Sequence, residues 1–391
     1  MKILFVTPPP YLPNRLHRIR SFDLIRILAK KHEVHLFSLI TRKETPKEFS
    51  EIKRICKSVN IIYLNPLIAL SNCVLFPYLP AEVAFCRSPI AKKTIEDIVE
   101  SEKIDLIYAK RLRSVIFIPK VNIPIVLDST DAMSIFYSRL NKHSNYPKKL
   151  IYKLEEIKYR IFEKKTMKEI GNWIVCSPVD KKKLQRFGAD ANIYVVPNPV
   201  DTEYFYFCPK LNYSSTLLFG GLMDKPVNID AALFFIHSIF PIVKKKIKNV
   251  KLYIVGPKPP SVIRKYNDGK SIFVTGFVED IRKYKKETDI SICPVRIASG
   301  TRQKILHAWA IGRPVVSTTI GAEGLLYKKN KNIVVADSPK EFAKQIISLL
   351  KNKTRYDTLA KNGRKTAVSA YSLKVVSQKL EAVIQNVKIS K

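Results

Sequence analysis

Residues 299–304 read Ser-Gly-Thr-Arg-Gln-Lys, between the apolar run ISICPV and the helical pattern that begins at Ile305. A turn of small residues that opens a helix presents free N–H groups and the positive end of the helix dipole, which suits a phosphate. Gly300 and Thr301 supply such N–H groups. Arg302 and Lys304 add full charges beside them, and an arginine can grip two oxygens at once. Thr301 or Ser299 is expected to cap the helix, with Gly312 just past its end and Pro314 blocking continuation. The chemistry expected is anion binding, with Arg302 and Lys304 stabilising charge that builds on phosphate oxygens.

A second polar group follows the run PIVLD, in the stretch DSTDAMSIFY. Asp131 there either binds a ligand hydroxyl or caps the next helix. Arg15, His17, Arg18 and Arg20 crowd the loop after the first apolar run. They suit an anionic ligand or form a solvated basic face. His32, His35, His143 and His237 show no partner pattern. The six cysteines (56, 73, 86, 176, 208, 293) lie far apart with no CxxC pair. That spacing argues for a reducing compartment and against structural zinc. No carboxylate pair near these loops suggests a metal, so none is expected.

Short Ile/Val/Leu runs alternate with segments of helical periodicity. ILFVT, VHLFSL, VNIIYL, DLIYA, PIVLD and NWIVCS occupy the first half, and turn-rich VVPNPVDTEYF (195–205) ends it. At 216–219 the pattern restarts with TLLFG, followed by KLYIVG, SIFVTG, DISICPV, PVVST and NIVVA, and helical patterns close the chain. Continuous apolar strands between helices indicate parallel sheets covered on both faces. The restart predicts an α/β protein of two doubly wound domains facing each other, with ligands outside the carboxyl ends of the strands.

The segment SGTRQKIL followed by AWAIGRPVVST and IGAEGL resembles the donor-site segment of retaining, GT-B-fold group 1 / family 4 glycosyltransferases. More narrowly, it resembles the sugar-transferase branch that accompanies exopolysaccharide and PEP-CTERM export systems. MKILFVTPPPYLPNRLHRIRSFDLIRIL is similar to that branch's opening strand, loop and helix, and VVPNPVDTEYF to its interdomain stretch. LLFGGLMDKPVNIDAALFF and FVTGFVEDIRKY resemble its phosphate and base loops, and NGRKTAVSAYS its approach to a terminal helix. The resemblance implies two facing Rossmann-like domains, 1–205 on the acceptor side and 206–372 on the donor side, with 373–391 returning to the first. It implies a nucleotide-sugar site at Gly220, Gly221, Lys225, Gly276, Phe277, Ser299, Gly300, Thr301 and His307, with Arg302, Lys304 and Asp131 in catalytic roles. It also implies metal-independent retaining transfer to a glycan or lipid-linked acceptor in cell-envelope or exopolysaccharide synthesis, with no cofactor beyond the nucleotide-diphosphate sugar. Two places where the family usually carries glutamate hold Ser299 and His307, the family's phosphate-loop arginine is replaced by Gly221, and Leu16 stands where a glycine is common. A nucleotide-sugar epimerase or a degenerate nucleotide-binding protein are the alternatives.

The chain has 391 residues, 46% of them hydrophobic and 26% charged, which is ordinary for a globular protein and enough for two cores. Its 69 Lys+Arg against 33 Asp+Glu give a net charge of +36. Residues 1–200 hold 35 basic and 19 acidic side chains and the remainder 34 and 14, so the excess is diffuse. Such a field favours anionic partners without selecting one. No nucleic-acid module is recognisable, so nucleic acid is not an expected partner.

MKILFVTPPP loses its apolar run to three prolines and reads as a strand rather than a signal peptide, consistent with a cytoplasmic protein. Residues 61–79 are apolar but interrupted by Asn65, Pro66, Asn72 and Pro77. They read as a half-buried helix that can graze a bilayer, not as a span. At 148–169, Leu150, Leu154, Ile157 and Ile161 form one helical stripe amid Lys148, Lys149, Lys153, Lys164 and Lys165, diluted by Glu155, Glu156 and Glu163. The stripe either packs into a core or touches the inner face of an anionic membrane.

Overall fold

Apolar runs such as Ile3–Val6 are wholly buried, which requires a strand covered on both faces. The computed structural model describes all residues except 11, 14–18, 42–45, 188–189, 211–213 and 390–391, so Arg15, Leu16, His17 and Arg18 lie outside the described residues. The chain divides into two compact units, Met1–Pro199 with Val376–Lys391, and Val200–Val375.

The first unit holds strands β1 (Lys2–Thr7), β2 (Glu33–Ile40), β3 (Ser58–Tyr63), β4 (Leu106–Lys110), β5 (Ile125–Thr130), β6 (Asn172–Val175) and β7 (Asn192–Val195). They form one parallel sheet in the order β3-β2-β1-β4-β5-β6-β7. Its helices are α1 (Ile19–Leu28), α2 (Pro46–Lys53), α3 (Pro66–Leu75), α4 (Ala81–Phe85), α5 (Pro89–Ser101), α6 (Met133–Lys142), α7 (Lys148–Glu169) and α8 (Pro178–Gln185). Ser88 and Ser177 cap α5 and α8, each followed by a proline whose missing N–H costs a helix start nothing.

The second unit repeats the plan. Strands β8 (Thr216–Gly220), β9 (Lys251–Val255), β10 (Ile272–Gly276), β11 (Ile290–Cys293), β12 (Val315–Ser317) and β13 (Val334–Val335) are parallel in the order β10-β9-β8-β11-β12-β13. Its helices are α9 (Pro226–Phe234), α10 (Phe240–Lys246), α11 (Ser261–Arg264), α12 (Ile281–Glu287), α13 (Gln303–Ile311), α14 (Thr319–Ala322), α15 (Pro339–Lys351) and α16 (Lys353–Thr366). Helix α17 (Leu373–Ile389) crosses the boundary, and it buries Val376, Leu380 and Ile384 while Glu381 Oε2 meets His32 Nε2 at 3.0 Å.

In both sheets the order reverses beside the unit's first strand, between β1 and β4 and between β8 and β11. These reversals are where doubly wound sheets open a crevice at their carboxyl ends. The two-Rossmann plan of a GT-B fold is what the chain adopts. The second unit starts at Val200, within the turn-rich stretch, because Val200 bridges Ser372 and its N–H donates to the Tyr371 carbonyl.

Candidate functional site

In the second unit the reversal falls between Gly220-Gly221, at the end of β8, and the loop 294–302 that follows β11. The neighbouring strand ends are stitched by backbone. Gly221 N–H donates to the Val255 carbonyl at 3.0 Å and Gly256 N–H to the Gly276 carbonyl at 3.1 Å. A Cβ on Gly256 would sit 1.7 Å from the Gly221 carbonyl oxygen, so this shelf tolerates no side chain there. Phe277, one residue past β10, is exposed.

The loop after β11 is tied to α9 by the Arg296–Asp230 ion pair, with Arg296 also lying over the Phe234 ring. Gly300, at φ 65°, turns the chain through the left-handed region, where a side chain would be strained. Arg302 folds back so that its Nη2 donates to the carbonyls of Ser299 and Gly300. Neither Ser299 nor Thr301 caps α13. The N-cap is Arg302, with extended backbone and no side-chain capping bond. The cap is therefore displaced, by one residue from Thr301 and three from Ser299, because the Gly300 turn delays the start of helical geometry.

Lys304 is held by two contacts. Its Nζ donates to Asn228 Oδ1 at 2.9 Å and lies 4.0 Å from the centre of the Phe219 ring. Asn228 in turn donates from Nδ2 to the Leu222 carbonyl. A Cβ on Gly221 would come within 3.2 Å of Lys304 Nζ, so the ammonium lies directly over the β8 turn. Burial, offset in part by Cys293 and reinforced by the charge of Arg302, pushes Lys304 down to about 8.

Beside it stands Lys285 of α12, buried, its carbonyl accepting from Thr288 Oγ1 but its ammonium with no hydrogen bond or ion pair among the described residues. Burial and the charge of Lys304 push it down to about 7. His307 is also buried, stacked on Phe205 at 4.1 Å between ring centres, and its Nε2 has no partner. Burial and Lys285 hold His307 well below its ordinary value, so the ring is neutral at pH 7. Three basic groups are thus coupled to one another with no carboxylate paired to them among the described residues. Burial meets the missing counter-charge in part by favouring the neutral forms, and the chemistry of such a cluster suits an anion. Lys225 stands apart at the N-cap of α9, exposed and without a side-chain capping bond.

In the first unit the carboxyl ends of β4 and β5 carry a denser network. Asp128 Oδ2 accepts from Arg20 Nη2 at 3.0 Å, Tyr108 Oη at 2.8 Å and pairs with Lys110 Nζ at 2.9 Å. Arg20 also donates to Asn198 Oδ1 and the Val196 carbonyl. It is thus a buried structural cation rather than part of a solvated face or ligand loop. Burial raises the Asp128 carboxyl, but Arg20 and Lys110 overcome that and hold it well below the carboxylate range. Lys110, taken out of water and facing Arg20 as well, is pushed down to about 7.

Arg111 and Thr130, the residues at the ends of these strands, both adopt φ 70°. For a β-branched threonine that conformation costs on the order of 1–3 kcal/mol. Lys110 Nζ on Thr130 Oγ1 at 2.6 Å and the Cys176 N–H on the Thr130 carbonyl hold it there. Asp131 follows, near Arg111 Nη1 at 3.5 Å and Cys176 Sγ at 3.6 Å. It does not cap α6. Ala132 is the N-cap, and Glu163 of α7 accepts the Met133 and Ser134 N–H groups from across the unit.

Arg302, Lys304, His307, Ser299, Gly300, Thr301, Gly220, Gly221 and Gly276 therefore gather at one end of the second unit's sheet, with Asp131 in the first unit. Lys285, Asn228 and Gly256 were missed. The signal for Lys285 was its four-residue spacing from core-packed Ile281, which turns one lysine of a basic run inward. Among the described residues no three His, Cys, Asp or Glu side chains group as metal ligands do.

Residues 20–204 match the family described as Glycosyltransferase Family 4, and residues 214–352 the family described as Glycosyl transferases group 1. An uncharacterized 44.6 kDa protein of the cps region of Klebsiella pneumoniae is 22% identical over 372 residues, covering 90% of this chain and 91% of that protein. Anabaena HepE, crystallised with UDP and glucose, superimposes with a TM-score of 0.69 at 16% identity, covering 98% of this chain and 99% of that one. Sucrose-phosphate synthase from Thermosynechococcus elongatus gives 0.71 at 15% identity over the full length of both chains.

Proposed function

Because the chain belongs to the group 1 / family 4 glycosyltransferases, and so moves a sugar from a nucleotide-sugar donor, we propose that it does so with retention and without a metal ion. The acceptor in this reading is a glycan or lipid-linked saccharide of cell-envelope or exopolysaccharide synthesis, handled on the cytoplasmic side of the membrane. The cps-region relative supports that context. The observation that carries the reading is Lys304 held over the glycine shelf, with buried Lys285 coupled to it, His307 coupled to Lys285, and no carboxylate paired with any of the three among the described residues.

As the bond from the anomeric carbon to the leaving phosphate oxygen breaks, negative charge builds on the diphosphate and positive charge on the sugar ring. Lys304, Lys285 and the N–H groups at the start of α13 meet the former in a site that excludes water, where fixed charges act most strongly. Lysine and arginine then do the work that a divalent cation does elsewhere. The acceptor oxygen attacks from the leaving-group side and its proton passes to the departing phosphate. In this reading the neutral His307, which stands where the family usually uses a glutamate and whose buried Nε2 has no partner among the described residues, bonds a donor hydroxyl. Phe277 offers a face to the base, and Asp131 an oxygen to an acceptor hydroxyl.

Anabaena HepE binds UDP and UDP-glucose, which makes these the first donors to try. Thermal stabilisation by UDP together with slow hydrolysis of UDP-glucose is the expected result, and Lys304→Met should lower turnover roughly 10²–10³-fold, the loss typical for one charge-stabilising donor. Unchanged turnover in that variant would remove Lys304 from the chemistry. A binding protein without turnover is the second reading, favoured by Ser299 and His307 at the family's glutamate places. Nucleotide stabilisation with no hydrolysis and no transfer would select it.

A further inference from the structure

Helix α7 is amphipathic in the wrong sense for a helix serving a core. Its buried side holds Glu155, Tyr159, Glu163, Thr166 and Met167, with Glu163 entirely covered. Its outer side carries Leu150, Ile151, Leu154, Ile157 and Ile161, the last 65% exposed. Core packing therefore does not account for the apolar stripe. The glutamates are inside because they serve backbone N–H groups: Glu163 those of Met133 and Ser134, Glu155 that of Ala81 at 2.9 Å. Nothing of that kind explains the leucines and isoleucines outside.

Helix α3 has the same character. Its sequence, PLIALSNCVL, has no charge, and Ala69 is its one buried residue, while Leu67 is 75% and Val74 79% exposed. The two helices meet around one loop, since Cys73 Sγ of α3 donates to the Ala81 carbonyl at 3.4 Å and the Ala81 N–H donates to Glu155 of α7. Lone exposed apolar residues are ordinary, but two neighbouring helices that both turn them outward mark an interaction surface.

The charge around that surface selects its partner. Helix α7 carries eight lysines and arginines against four glutamates, two of which are buried. Lys153, Lys158 and Lys165 pair with Glu156, Glu155 and Glu169. Lys148, Lys149 and Lys164 are exposed and have no carboxylate partner among the described residues. A second copy of the chain, with its net +36, would bring like charge to like charge. We infer that the α3–α7 surface docks the protein on an anionic lipid bilayer, the apolar side chains entering the headgroup–acyl boundary and the unpaired lysines meeting lipid phosphates. The inference rests on the membrane-side acceptor reading above and names the surface that serves it.

The test is co-sedimentation of the full chain with vesicles of phosphatidylcholine alone and of equal parts phosphatidylcholine and phosphatidylglycerol, with UDP stabilisation measured on the same samples. Binding to the anionic vesicles, weakened by salt, is expected, with little to the neutral ones. Leu154→Glu with Ile161→Glu should abolish it, and each of Lys148→Ser, Lys149→Ser and Lys164→Ser should lower partitioning about fivefold. All these positions are exposed, and an unchanged melting temperature checks the fold. Failure to bind anionic vesicles, equal binding to neutral ones, or a dimer dispersed by Leu154→Glu with Ile161→Glu would each overturn the inference. Loss of vesicle binding with an intact UDP response sinks the docking surface alone. Vesicle binding without any UDP response sinks the donor-site reading alone.

Discussion

Lys285 and Lys304 carry the clearest pH signature in the molecule. Burial lowers both, to about 7 and about 8, from an ordinary value near 10.5. Between about pH 7 and 10 the unfolded chain therefore holds more protons than the folded one, and stability without ligand should rise with pH across that window. A bound diphosphate reverses the local balance by supplying negative charge, so UDP binding takes up protons. Calorimetric titration should show the UDP dissociation constant rising roughly tenfold from about pH 6 to about pH 9, with Lys285→Met flattening the slope. A dissociation constant flat across that range would mean the two lysines do not face the diphosphate. The wild-type residues at 299–304 announce an anion site by type and spacing alone. Lys285 does not, since a lysine in a basic run is ordinarily a solvated one, and its four-residue spacing from Ile281 becomes a signal only once Ile281 is known to pack on the core.

At the scale of elements, α6 depends on α7 for its first turn. Glu163 accepts the Met133 and Ser134 N–H groups, while burial raises it from 4.5 to about 7 and its second oxygen stays unpartnered. Its folded form favours the proton, so this contribution is fully present below about pH 4.5 and fades as pH rises through 7. Glu163→Gln keeps the acceptor oxygen and loses the charge. Its unfolding free energy relative to the native chain, read by denaturant titration, should therefore improve between about pH 5 and about pH 8, by up to on the order of 3 kcal/mol. A difference that does not change with pH would show the carboxyl ionised throughout. Glu163→Ala, which orphans both N–H groups, should instead lose about 1–3 kcal/mol at low pH, readable by denaturant titration. The strand and helix positions were legible from periodicity, down to the close of α13 at Gly312, though not to its N-cap at Arg302. The short β7 was not, because NIYV sits inside a stretch dominated by turn residues, and only pairing with β6 gives it a strand's hydrogen bonds.

For the whole molecule, the second unit closes its own core. One cluster runs from Val200 to Tyr371 and includes Trp309, Phe342 and Tyr356. Residues 200–375 expressed alone should therefore fold, seen as cooperative thermal unfolding by circular dichroism, and should keep the response to UDP. A fragment that folds without that response would place essential donor contacts in the first unit. The chain's own order of residues determined the two α/β halves, the restart near 216 and the small-residue turn with two cations before α13, because periodicity, capping and turn chemistry act over a few residues and are written locally. Which polar residues lie inside and which apolar ones stay outside was decided only in three dimensions. Leu150 and Ile161 read like core positions and face out, Glu163 and Lys285 read like surface positions and are buried. A helical stripe says which residues share a side, and only the neighbouring elements decide whether that side meets the core or the solvent.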